Sequence, residues 1–123
     1  AFLFKGNNNI LFLPDHDNWS ETLELVGYLN PLDWFNDIEA DIVLLDGTFW
    51  DKRELRNRNQ ENVPHPTVRE TLELIGRKKD NTPRIVFIHL NHTNPLHDKN
   101  SEEYSKLEEM GWEVGEEGME FFL

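Results

Sequence analysis

The 123-residue chain lacks cysteine, has few basic residues and contains no long hydrophobic segment. Without cysteine, disulfide bonds and thiolate ligands are excluded, so any metal ion must be held by carboxylates and imidazoles. Its 12 basic residues are outnumbered by 24 acidic ones, and the net charge of −12 disfavours binding to nucleic-acid phosphates or anionic lipids. No apolar run approaches the roughly 20 residues that span a bilayer. We therefore expect a cytoplasmic protein that binds neither nucleic acid nor membrane.

Several common catalytic motifs are also missing from the sequence. There is no G-x-S-x-G elbow, no G-x-x-x-x-G-K-[ST] phosphate loop and no G-x-G-x-x-G dinucleotide fingerprint. The first residues, 1–5, are typical of a strand already in progress, which indicates that the numbering starts inside a longer polypeptide. Removal of a start methionine or a shortened expressed chain would give the same pattern.

Hydrophobic periodicity predicts strands and helices in alternation. An opening hairpin ends in the apolar strand 10–13, and further buried strands are predicted at 42–46 and 84–88. Helical spacing begins at Ser20, near Leu32, after Pro66 and at Ser101, and two short strands close the chain at 112–114 and 119–123. This order predicts one α/β domain with its helices packed on the sheet.

Polar residues follow each of the predicted buried strands. Asp15 follows the first, Asp46 the second, and His89 with His92 the third. Because ligands collect at the carboxyl ends of parallel strands, these side chains are candidates for a zinc, iron or manganese site. Two other interpretations stay open. An Asp after a strand often caps a turn, and an H-x-x-H pair occurs by chance; His65, between two prolines, either starts a helix or donates a proton.

Four segments carry a more specific pattern than spacing alone. They are Leu-Pro-Asp-His-Asp-Asn-Trp at 13–19, Leu-Leu-Asp-Gly-Thr-Phe-Trp at 44–50, Pro-His-Pro at 64–66 and Phe-Ile-His-Leu-Asn-His-Thr-Asn-Pro at 87–95. Together they resemble the later motifs of metallo-β-lactamase-fold hydrolases, and in particular the family of pyrroloquinoline quinone (PQQ) biosynthesis protein B. The resemblance covers nearly the whole chain.

The resemblance implies a metal-dependent hydrolase that cleaves an ester, amide or phosphodiester of a small-molecule substrate with a metal-activated water. It implies a divalent cofactor, zinc first, with iron or manganese as alternatives. By the same resemblance Asp15 and His89 bind metal, and His92 binds metal or substrate. His65 would protonate the leaving group as a catalytic residue, and Asp46 would orient neighbouring groups.

The chain departs from that superfamily in one respect, because its principal metal-binding motif, H-x-H-x-D-H, is absent. We therefore expect residues 1–123 to be the carboxy-terminal half of one four-layer αββα sandwich, inactive by itself. Its inner sheet face would be covered by the missing amino-terminal half or by another copy of the chain. The competing functions are a metal-free binding or assembly domain and an iron-dependent oxidative enzyme of quinone-cofactor biosynthesis.

Overall fold

The structure is a computed structural model that describes residues 2–13, 18–51 and 66–123. Its elements follow the predicted order of strands and helices. They are β1 Phe2–Phe4, β2 Ile10–Leu13, α1 Trp19–Val26, α2 Pro31–Asp37, β3 Ile42–Asp46, α3 Val68–Ile75, β4 Arg84–Ile88, a 3-10 helix Pro95–His97, α4 Glu102–Glu109 and β5 Glu113–Val114.

The strands form one five-stranded sheet in sequential order. β1 pairs with β2 in antiparallel fashion, and β2 to β5 run parallel to one another. Parallel neighbours in sequential order need a crossover at each step, and right-handed crossovers all pass on the same side of the sheet. The helices are thus expected on one face, and the α/β prediction is confirmed.

The hydrophobic core lies between the sheet and that helical layer. Alternate strand residues point into it, because successive side chains of a strand face opposite ways. The strand contributions from β2, β3 and β4 are Leu11, Leu13, Val43, Leu45, Ile85 and Phe87. The helices add apolar side chains that include Trp19, Phe35, Val68, Leu72 and Leu107.

The opposite face of the sheet also carries apolar residues, beside the charged Arg84 and Glu113, and none of its strand residues belongs to this core. The register places Phe2, Phe4 and Phe12 on it, together with Leu44 and Ile88. Phe2 is 64% exposed and Phe4 is 49% exposed. We call this surface the open face. Its composition fits the predicted inner face of a larger sandwich, because exposed apolar area of this kind is costly in water.

Helix α1 begins and ends at residues other than those predicted. The Asn18 side chain accepts a hydrogen bond from the backbone N–H of Glu21 at 2.8 Å, so Asn18 caps the helix in place of Ser20. The helix ends at Gly27, whose φ is 82°, before the predicted stop at Asn30. None of the helices within the described residues is long and apolar enough to cross a membrane. The cytoplasmic location stays a prediction.

The predicted strand at 119–123 is wrong. After β5 the chain turns, with the Met119 N–H donating to the Glu116 carbonyl at 3.1 Å and Gly118 at a φ of 86°. The tail then makes side-chain contacts, because the Phe122 carbonyl accepts from Asn8 Nδ2 at 3.0 Å. The Phe121 ring lies under the Arg84 guanidinium at 5.3 Å.

Candidate functional site

Strand β3 ends in a buried carboxylate. Asp46 is 1% exposed, and its Oδ1 accepts from the Thr48 backbone N–H at 2.8 Å and from the Thr48 hydroxyl at 2.6 Å. This is the turn-capping arrangement that an Asp after a strand favours. The side chain alternates with Leu45, which faces the helices, so Asp46 lies on the side of the open face.

Gly47 brings this turn against the end of β4. Its N–H donates to the Ile88 carbonyl at 2.7 Å. A Cβ at residue 47 would lie 2.9 Å from that oxygen and 3.0 Å from the Phe87 Cβ, so no larger residue fits there without displacing backbone. The close approach fixes the ends of the two central strands side by side.

Strand β4 ends at an exposed histidine with an unusual backbone. His89 has a φ of 59°, in the left-handed region that costs a non-glycine residue about 1 kcal/mol or more. The imidazole meets the Phe12 ring edge-on, with the ring centroids 6.4 Å apart. Phe12 lies on β2, two strands away from β4. The His89 ring therefore lies on the same side of the sheet as Asp46 and reaches towards the end of β2.

The loop after His89 returns to the β3 turn. The Asn91 N–H donates to the Thr48 carbonyl at 2.9 Å, and the Asn94 amide donates to the Gly47 carbonyl at 2.7 Å. His92 is exposed within this loop. The loop thus carries one exposed imidazole while its asparagines hold it against β3.

A cleft of about 640 Å³ opens beside His89, between the end of β4 and the carboxy-terminal tail. Its walls combine apolar and polar side chains, and Lys99 lies at a salt-bridge distance of 2.6 Å from Glu116 among its lining residues. The hydrogen bond from Lys99 to Glu116 raises the pKa of the lysine. The cleft provides space for a small molecule next to the candidate histidine.

The donor chemistry of this edge suits a divalent metal ion, but the described residues do not complete a metal site. Two exposed imidazoles and a carboxylate are ligand types for zinc, iron or manganese. Within 2–13, 18–51 and 66–123, however, no group of three or more His, Asp or Glu side chains could hold a metal ion together. The two other predicted site residues, Asp15 and His65, lie outside the described residues. The structure thus brings Asp46, His89 and His92 to one edge.

Sequence reasoning did not assign a role to Asn94, Gly47 or Thr48. Asn94 lies within the motif at 87–95 and precedes a proline, which is a turn signal that could have marked it. Gly47 follows an acidic strand end, where a close backbone approach is a common reason for glycine. The positive φ of His89 had only a weak signal in the sequence, because histidine, like Asn and Asp, is enriched at positive φ.

Two bacterial proteins of known name are similar in sequence to this chain. No protein-family model matches the chain. PQQ synthesis protein B of Methylococcus capsulatus is 36% identical over 92 residues, which is 68% of this chain. The corresponding protein of Acinetobacter baumannii strain ACICU is 31% identical over 97% of this chain. This chain belongs to the PQQ synthesis protein B family.

The fold agrees with a solved member of that family. The crystal structure of Zn²⁺-bound PqqB from Methylobacterium extorquens matches with a TM-score of 0.66 over 98% of this chain, at 19% sequence identity. The chain spans 40% of that structure and 30% and 42% of the two relatives. The predicted family and metallo-β-lactamase-type fold are confirmed, and the part-length match supports the prediction that the chain corresponds to one half of the sandwich.

Proposed function

We propose that the intact protein acts in PQQ synthesis and that this chain supplies part of its metal site. The proposal is supported by the names of the relatives and by the position of His89 and His92 directly after β4, at the carboxyl edge of the sheet. The observation that carries it is the His89 backbone. A strained left-handed residue that holds an exposed imidazole over the sheet is a cost to stability, and such costs concentrate at functional sites.

Within this proposal each predicted site residue has a distinct task. His89 and His92 would hold the metal ion together with Asp15, and Asp46 keeps the neighbouring turn in place through its bonds to Thr48. A divalent ion, zinc in the first instance, would supply a water whose pKa is lowered to about 7. His65 would donate a proton to the leaving group of an ester, amide or phosphodiester in a small-molecule substrate.

Complementation tests the biological role. The intact gene, introduced into a bacterium that lacks PQQ synthesis protein B, should restore PQQ, measured by the activity of a PQQ-dependent dehydrogenase. His89→Ala should abolish restoration and lower the metal content of the purified protein. His65→Ala should reduce PQQ formation by about 10²-fold while leaving the metal content unchanged. No restoration by the unmodified gene would contradict the role in PQQ synthesis.

Metal analysis separates hydrolysis from the competing functions. Zinc in the purified protein, and activity that needs no oxygen, would support the hydrolase. Iron together with oxygen uptake would instead identify an oxidative enzyme. The third possibility is the metal-free binding or assembly domain. Protein without bound metal that still restores PQQ would establish that alternative.

We also propose that the rest of the sandwich covers the open face. The supporting observation is that this chain accounts for 40% of the matched PqqB structure, so the larger share of that chain lies outside the match. In the intact protein Phe4→Ser should therefore lower stability by about 2 kcal/mol or more, as for a buried phenylalanine. Leu25→Ser, at a residue 87% exposed on α1, is the control and should change stability little. Equal small effects would argue against coverage.

A further inference from the structure

Asn94 is a buried polar residue that joins the two strand ends of the candidate site. It is 2% exposed and lies directly before the 3-10 helix Pro95–His97. Buried amides need hydrogen-bond partners for both their oxygen and their nitrogen. The partners of Asn94 belong to two different segments of the chain, and this division suggests more than a capping role.

The oxygen of Asn94 serves its own loop. Its Oδ1 accepts from the Leu96 N–H at 2.9 Å, which caps the 3-10 helix. The amide nitrogen instead reaches across to the β3 turn, donating to the Gly47 carbonyl at 2.7 Å and lying 3.4 Å from the Thr48 carbonyl. Because only an NH₂ group offers two donors here, aspartate at this position would set a carboxylate oxygen against two carbonyl oxygens.

The two segments joined by Asn94 are the loop that carries the candidate metal ligands and the turn that supports this loop. The β3 turn holds Asp46, and the loop from residue 89 to 94 holds His89 and His92. Two backbone bonds run between the same segments, from Gly47 to Ile88 at 2.7 Å and from Asn91 to Thr48 at 2.9 Å. The Asn94 amide completes this set from the far end of the loop, so it limits how far the loop can move from the turn.

We propose that Asn94 is a positioning residue that fixes the His89–His92 loop against the Asp46 turn and thereby sets the metal affinity of the site. The inference rests on the proposed function, since it requires that this edge binds metal. Outer partners of this kind alter metal affinity by about 10- to 100-fold in other metalloproteins, because they limit the movement of the ligands. Asn94 itself does not need to touch the metal.

The test compares two variants in the intact protein. Asn94→Asp keeps the side-chain volume and the acceptor for Leu96 but removes both donors to the β3 turn. Ser101→Ala is the control, since it removes the side chain that caps α4. The Ser101 Oγ accepts from the Tyr104 N–H at 3.1 Å and donates to the Pro95 carbonyl at 2.9 Å. Both variants lose capping or loop hydrogen bonds and should lower the melting temperature, so stability loss alone does not distinguish them.

Two measurements distinguish positioning from a merely structural role. Titration with Zn²⁺ should show affinity about tenfold or more weaker in Asn94→Asp and unchanged in Ser101→Ala. Hydrogen exchange at the Asn91 amide, which donates to Thr48, should accelerate only in the Asn94 variant. If Asn94→Asp does not fold, Asn94→Ser takes its place, because serine still caps a helix but is too short to reach both carbonyls.

The outcomes separate this inference from the proposed function. His89→Ala, measured in the same titration, should lose affinity if the edge binds metal. If His89→Ala loses affinity while the Asn94 variant binds Zn²⁺ as tightly as the unmodified protein, the positioning role is overturned and the metal site stands. If neither variant changes the affinity, both proposals fail.

Discussion

The neighbouring strands β3 and β4 differ in the burial and the backbone of the residue at which each one ends. At the end of β3, Asp46 is 1% exposed and bonded to both the backbone and the hydroxyl of Thr48. At the end of β4, one residue further along the paired register, His89 is exposed and has a φ of 59°. One end stabilises the fold. The other leaves an imidazole available at the expense of backbone strain, as expected of a residue kept for binding.

The neighbouring loop explains how these two ends coexist. The close approach at Gly47 and the bonds from Asn91 and Asn94 hold the exposed end against the buried one. Rigid support on one side allows the other to carry a strained residue without unravelling. The difference between the ends can be tested by substitutions that act on one end and have a matched residue elsewhere.

The largest effect is expected at the buried end. Asp46→Ala in the intact protein should lower the free energy of unfolding by about 3 kcal/mol, because it removes a buried acceptor and leaves the Thr48 N–H and hydroxyl without it. Asp98 is the control, since its Oδ1 accepts from the Asn100 N–H at 2.9 Å in the same local pattern but at an exposed site. Asp98→Ala should cost under about 1 kcal/mol. Equal costs in urea denaturation would remove the contrast between the strand ends.

At the exposed end, a glycine substitution should raise stability relative to alanine, by less than the loss expected for Asp46→Ala. His89→Gly should be more stable than His89→Ala by about 1 kcal/mol, because glycine adopts a positive φ without strain. Glu39, with a φ of 56°, is the other non-glycine residue with positive φ in the part of the chain that the structure describes. Glu39→Gly should also be more stable than Glu39→Ala, yet it should leave metal binding intact. Melting temperatures that rank Ala above Gly at residue 89 would disprove the strain.

The smallest effect concerns the other end of β4, where Arg84 pairs with Glu113 at 2.6 Å. The hydrogen bond from Arg84 lowers the pKa of Glu113. The pair therefore stabilises the fold at pH values above the ordinary pKa of glutamate. This contribution is lost as the pH falls through the lowered pKa of Glu113. Because both side chains are over a third exposed, at 37% and 36%, the loss should stay below about 1 kcal/mol.

Denaturation of the Glu113→Gln variant between pH 6 and pH 3 measures this contribution, with the range chosen to extend on both sides of about 4.3, the ordinary glutamate pKa. The unmodified protein should lose slightly more stability than the variant over that range. Zn²⁺ affinity at pH 7 should be the same in both, since the pair lies away from the carboxyl edge. A variant with altered affinity would show that the amino end of β4 also shapes the site.

Much of the fold was predictable, because buried parallel strands have continuous apolar runs. The runs at 10–13, 42–46 and 84–88 marked β2, β3 and β4, and the polar residues after them marked the edge that holds Asp46 and His89. The tail at 119–123 was not predictable from its apolar residues, since they contact Arg84 and the hairpin and do not pair as a strand.

The contacts that hold the candidate site in place were the part least predictable from the sequence. The role of Asn94 depends on carbonyl oxygens of Gly47 and Thr48, and backbone groups leave no mark of their own in a sequence. The left-handed backbone of His89 was only weakly predictable, because histidine is one of several residue types enriched at positive φ and most histidines do not adopt it. Asp15 and His65 stay predictions.

Titration of the intact protein with Zn²⁺ against a competing chelator tests directly whether His89 holds a metal ion at the carboxyl edge of the sheet. His89→Ala should weaken Zn²⁺ binding by at least about tenfold. His97→Ala, which removes an exposed histidine of the 3-10 helix that lines the same cleft, should leave the affinity unchanged. Unchanged affinity in His89→Ala, or an equal loss in both variants, would contradict the account.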